Sequence, residues 1–158
     1  MTEIGFYHLR TTRLDRALPK LLERALAEKH RVVVLAGSPE RVDHLDDLLW
    51  TYDEASFLPH GSARDGNADC QPIFLAASED NPNHATMLVL VDGAQGAALD
   101  DYKRVCDMFD GNDESAVEEA RQRWRVAKAA GHTLTYWEQT QSGWVKRGAE
   151  TETSAGAT

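Results

Sequence analysis

The chain has 158 residues, with 26 Asp and Glu against 17 Lys and Arg and a formal net charge of -9 at pH 7. That length fits one domain able to bury roughly 68 to 70% of the surface its unfolded form exposes, and the acid excess repels phosphate backbones at long range, which disfavours a general duplex-DNA binder. No apolar run approaches the roughly 20 residues that cross a bilayer. Cys70 and Cys106 lie far apart outside any CxxC, and the N-terminus MTEIGFYHLR has no apolar signal core, so the expected compartment is the reducing cytoplasm, with no membrane partner.

In chain order, IGFYHL (4–9) predicts a first strand. Thr12 and Asp15 then have capping-box-like spacing ahead of a helical stripe of Leu14, Leu18, Leu21, Leu22, Ala25 and Leu26. RVVVLA (31–36) is apolar on both alternations, as a central strand covered on two faces must be. After Gly37, Ser38 suits the N-cap, Pro39 the first helical position and Glu40 the positive end of the dipole, so a second helix is predicted to about Trp50. Thr51 to Pro72 reads as irregular, and Ile73–Ala76 and Met87–Val91 as short strands separated by the loop SEDNPNHAT.

Asp101 to Phe109 is compatible with either a short helix or a strand. Ser115 and Glu118 predict a capping box before a helix to about Ala130, with Val117, Ala120, Trp124 and Ala127 on one stripe and Gly131 ending it. His132–Trp137 and Ser142–Lys146 predict a closing hairpin. Strands alternating with helices around apolar central strands give a three-layer, Rossmann-like α/β domain over residues 1–147 with a mainly parallel sheet, and the composition of residues 148–158 is that of a disordered tail.

The expected fold carries no nucleotide site. VVVLAGSPERV has the strand-turn-helix outline of a dinucleotide fold, yet one glycine cannot supply GxGxxG, and there is no GxxxxGK[ST]. His8, His30, His44, His60, His84 and His132 show neither HExxH nor His-Cys spacing, so no metal site is expected, and most are read as surface or loop residues. Asp46-Asp47 and Glu118-Glu119 are read as solvated helix faces, and neither cysteine stands in a nucleophile's context. No cofactor follows from any of these residues.

Two features exceed what folding requires. RQRWRVAKAAGH (121–132) holds four cations, no acid and one tryptophan, and a helix puts Arg121, Arg125 and Lys128 on one face beside Trp124. Such a stripe is either a solvated face or a site for a ligand both acidic and apolar, steered by charge and held by desolvated ring contact. Trp50 and, seven residues on, Phe57 in FLPH form either an outer cap on the core or an exposed anchor pair for a partner.

GFYHL, RVVVLAGSPE, DDLLWTYDEASFLPHG, the strand ending LVDG, and EEARQRWRVAKAAGHTLTYW together resemble the chi subunit of the bacterial DNA polymerase III holoenzyme, over about Thr2 to Trp137. The most specific pieces are LW followed by SFLPHG, and R-x-x-W-[RK]-x-x-[RK]-x-x-G at Arg121 to Gly131. The resemblance implies an accessory replication protein that is not an enzyme. It implies binding to the acidic, phenylalanine-ended tail of single-stranded DNA-binding protein through Arg121, Trp124 and Arg125, with Lys128 on the same stripe. It further implies that Trp50 and Phe57, beside Pro59, meet the psi subunit or another clamp-loader component. Val117 stands where the better-known pattern has lysine, and Asp110 at a small apolar position; both weaken attraction to an anionic peptide, and Arg123 and Lys128 are placed to compensate. The competing expectation is direct binding of single-stranded nucleic acid along Arg121 to Lys128, with Trp124 stacking on bases.

Overall fold

The computed structural model of the chain describes residues 2–10, 14–51, 60–62, 68–78, 81–94, 99–140 and 143–150. In chain order these form β1 (Glu3–Leu9), α1 (Leu14–Ala27), β2 (Val32–Leu35), α2 (Pro39–Thr51), β3 (His60–Ser62), β4 (Ile73–Ala76) and β5 (Met87–Leu90). They continue with β6 (Arg104–Asp110), α3 (Glu114–Ala129), β7 (Thr133–Thr140) and β8 (Gly143–Glu150). Among the described residues the strands make one eight-stranded sheet in the order β3-β4-β2-β5-β6-β1-β7-β8. Every pairing is parallel except β7 with β8.

Alternation along the strands divides the core between two faces. On one, Val32, Val34, Ile73, Leu75, Val89 and Met108 pack against the stripes of α1 (Leu18, Leu22) and α2 (Leu45, Leu49). On the other, Ile4, Phe6, Val105, Phe109 and Leu134 pack against Ala120 and Ala127 of α3. This is the three-layer, mainly parallel α/β arrangement, and both faces of β2 are fully covered, which explains its unbroken apolar run.

One open reading is settled and three others change. The segment read as helix or strand is β6, seated between β5 and β1. Asp107 interrupts its apolar alternation, and the guanidinium of Arg123 makes that tolerable. Residues 60–62, read as irregular, form the edge strand β3, too short to show a pattern. The N-cap of α3 is Asp113, whose Oδ1 accepts from the amides of Ser115 (2.9 Å) and Ala116 (3.4 Å), so Ser115 sits inside the first turn. The last strand runs to Glu150, so residues 148–150 of the expected tail pair with β7. The proposed helix-one capping residue Thr12 lies outside the described residues.

Candidate functional site

Helix α3 crosses the sheet over β6, β1 and β7. Between the middle of α3 and these strands lies a cavity of about 350 Å³. Phe6, Phe109 and Tyr136 form the floor, Val117, Ala120 and Trp124 the helix wall, and Arg121 and Arg125 the mouth. The rings brace one another: Trp124 meets Phe6 edge-on at 5.2 Å between centroids and Tyr136 at 6.1 Å. Such T-shaped contacts fix the indole and leave the wall rigid before any ligand arrives.

Arg121 and Arg125 share one carboxylate. Glu118 approaches Arg121 at 3.6 Å and Arg125 at 3.8 Å, with these three side chains 58 to 66% exposed. Exposed pairs at such distances are worth at most about 1 kcal/mol. The pocket mouth therefore presents two guanidiniums held loosely by a local acid that a ligand carboxylate could replace.

Behind the floor, Tyr136 Oη is hydrogen-bonded to His8 Nδ1, and His8 also packs on Phe109 at 5.1 Å. Gly111 is what admits the imidazole, because a Cβ there would lie 1.9 Å from His8 Cδ2. Burial, reinforced by Arg10, lowers the His8 pKa, so the folded protein prefers the neutral ring. A base depressed in the fold contributes stability present above its unfolded pKa of about 6.5 and lost as pH falls below it. Thermal melts between neutral and mildly acidic pH should show a declining midpoint, and His8→Gln should flatten that decline; an equally steep profile in the variant would contradict it.

The structure brings Arg121, Trp124 and Arg125 together at one pocket. Lys128 lies one turn further along α3 and is outside its lining. Arg123 is not part of the exposed stripe: it turns inward and binds Asp107 through two contacts of 2.5 and 3.0 Å, which removes it as compensation for Val117. Asp110 belongs to a different cavity, at the carboxyl ends of the strands, and its Oδ1 accepts from the Asn112 amide. Floor residues Phe6 and Tyr136 were read only within predicted strands, and Phe109 within a segment open to helix or strand; no spacing in the sequence marks them as a site.

Trp50 is 55% exposed at the end of α2. Its ring leans on His60 at 4.8 Å, and His60 is held by Asp46 at 3.0 Å. Thus Asp46, read as a solvated residue, is buried, as are His8, His60 and His132. Phe57 and Pro59 lie outside the described residues. The carboxyl-end crevice, where doubly wound folds take nucleotides, presents Asp15, Asp92, Asp110, Asp113 and Glu119. Its arginines are already engaged: Arg41 by Asp92 (2.8 Å), Arg123 by Asp107 and Arg10 by Glu138 (3.5 Å). Among the described residues no group of three or more His, Cys, Asp and Glu is arranged for a metal, and no helix is long and apolar enough to cross a membrane.

The family described as "DNA polymerase III chi subunit, HolC" matches residues 1–135. A Rickettsia prowazekii protein named "Probable DNA polymerase III subunit chi" is 28% identical over 109 residues, covering 69% of this chain and 66% of that protein, just under two thirds of its length. A Pseudomonas aeruginosa "DNA polymerase III subunit chi" is 25% identical over 139 residues, covering 85% of this chain and 94% of that protein. With that match over most of its length, the chain belongs to the DNA polymerase III chi subunit, HolC, family.

Proposed function

We propose that this chain is a non-catalytic accessory subunit of DNA polymerase III acting in cytoplasmic DNA replication. It links the clamp loader, through psi or an equivalent component, to the acidic C-terminal tail of single-stranded DNA-binding protein, and uses no cofactor. The observation that carries the reading is the α3 pocket: an aromatic floor closed by Trp124, with Arg121 and Arg125 at its mouth. A terminal aromatic ring fits the floor while the terminal carboxylate takes the place of Glu118 on a bidentate guanidinium. Val117 at the wall adds apolar contact where a lysine would add charge, which shifts the expected affinity toward desolvation of the ring.

Direct single-strand binding along α3 has less support, because Arg123 is turned into the fold and Glu118 stands between Arg121 and Arg125. In the adapter reading Trp50, with Phe57 and Pro59 nearby in sequence, anchors the clamp-loader partner. Trp50 lies on α2 and Arg121 on α3, which pack on opposite faces of the sheet, so the two functions should separate. Trp50→Ala should abolish capture of the clamp-loader component in a pull-down while leaving tail-peptide affinity within about twofold, since interface anchors act locally. A folded Trp50→Ala protein that loses both partners alike would contradict the arrangement.

A further inference from the structure

Across the sheet from the α3 pocket, α1 and the β7–β8 hairpin enclose a second cleft of about 350 Å³. Its walls are aromatic: Tyr7, Trp137 and Trp144, with Tyr7 and Trp137 nearly parallel (7° between planes) and Trp144 edge-on to Tyr7 at 5.3 Å. Both indoles remain partly exposed. Its charges are Lys20, Arg24 and Arg104 against the single acid Glu28.

The cations are what set this cleft apart. Arg10, Arg41, Arg121, Arg123 and Arg125 each meet a carboxylate within ion-pair distance. Lys20, Arg24 and Arg104 meet none among the described residues, in a chain with nine excess acids. Arg104 is half-buried, and its guanidinium donates to the neutral phenol of Tyr7 at 3.0 Å. Removing a cation from water is costly unless an anion comes with it, so the cleft is short of negative charge where it is most aromatic. Lys20 and Arg24 are one helical turn apart, about 6 Å along the axis, which suits an anion that repeats along a chain.

We propose that this cleft binds a short segment of single-stranded nucleic acid, a base stacking on Trp137 and Trp144 while successive phosphates lie on Lys20, Arg24 and Arg104. Indole faces accept any base, and three phosphate contacts give a salt slope of about -2 on a single strand. The long-range repulsion from the net charge keeps the contact weak.

The test is fluorescence anisotropy of a short labelled oligodeoxythymidine titrated with the full chain at low salt. Saturable binding is expected, weakened at least about fivefold by Trp144→Ala, the lower end of a lost stacking contact, and clearly weakened by Lys20→Glu. Arg16→Ala, on α1 but outside the cleft, should change nothing. Lys20 is exposed, so its variant keeps the test valid should Arg104→Gln fail to fold. No binding at low salt would overturn the proposal. So would binding indifferent to both Trp144→Ala and Lys20→Glu, or displacement of the oligonucleotide from the cleft by an acidic peptide at lower concentration than by unlabelled strand.

Discussion

Replacing Asp107 by alanine should lower the unfolding free energy by about 3 to 5 kcal/mol, the cost of stranding a buried charge. Asp107 is 2% exposed in the middle of β6, and the Arg123 side chain above it is 11% exposed. Burial pushes the Asp107 carboxyl above the ordinary carboxylate range, against the pull of Arg123. Taking both charges out of water is costly, so the pair need not stabilise the fold relative to an apolar one. Removing a single partner is different, because Arg123 Nη1 already lacks a hydrogen-bond partner among the described residues and the rest of the guanidinium would join it. The double variant Asp107→Leu, Arg123→Met should recover most of the loss, since both charges leave together. Urea unfolding of the single and double variants measures this; a single variant within about 1 kcal/mol of wild type would mean that the pair is hydrated.

The second large effect is expected at Trp124. Trp124→Ala should weaken binding of an acidic, phenylalanine-ended peptide by about 2 kcal/mol or more, because it removes the wall on which the terminal ring packs. Arg121→Ala should weaken it by up to about 1 kcal/mol, the range of a charge pair at an exposed mouth. Glu118→Gln should strengthen it a few fold, since that carboxylate occupies the guanidiniums when no ligand is present. Calorimetric titration reads all three, with melts alongside because Trp124 also braces Phe6 and Tyr136. Undiminished affinity in Trp124→Ala would move the ligand elsewhere.

The long periodic elements were legible in the residues. Leu18 and Leu22 announced α1, the unbroken VVVL announced a doubly covered β2, and Ser38-Pro39-Glu40 announced the start of α2, where Ser38 Oγ accepts from Arg41 N at 3.3 Å. What stayed hidden depends on partners distant in sequence. Asp107 made β6 ambiguous because Arg123, which neutralises it, follows sixteen residues later. Asp46 looked solvated because its partner His60 lies on an edge strand of three residues. At the site, the wall and mouth were visible as Trp124, Arg121 and Arg125 on one helix. The floor was not, since Phe6, Phe109 and Tyr136 come from three strands whose adjacency only the parallel pairing of β6, β1 and β7 creates. Arg123, expected to compensate for Val117, is separated from the stripe by about 100° of turn per residue, which carries it over the helix flank to the sheet.

The central claim, that the α3 pocket receives the tail of single-stranded DNA-binding protein, is tested most directly by calorimetric titration of the wild-type chain with that protein from the source cell. The titration is run with the intact partner and with a form lacking its last residues. Saturable heat with the intact protein and none with the truncated one is the predicted result. Equal binding to both forms would contradict the account.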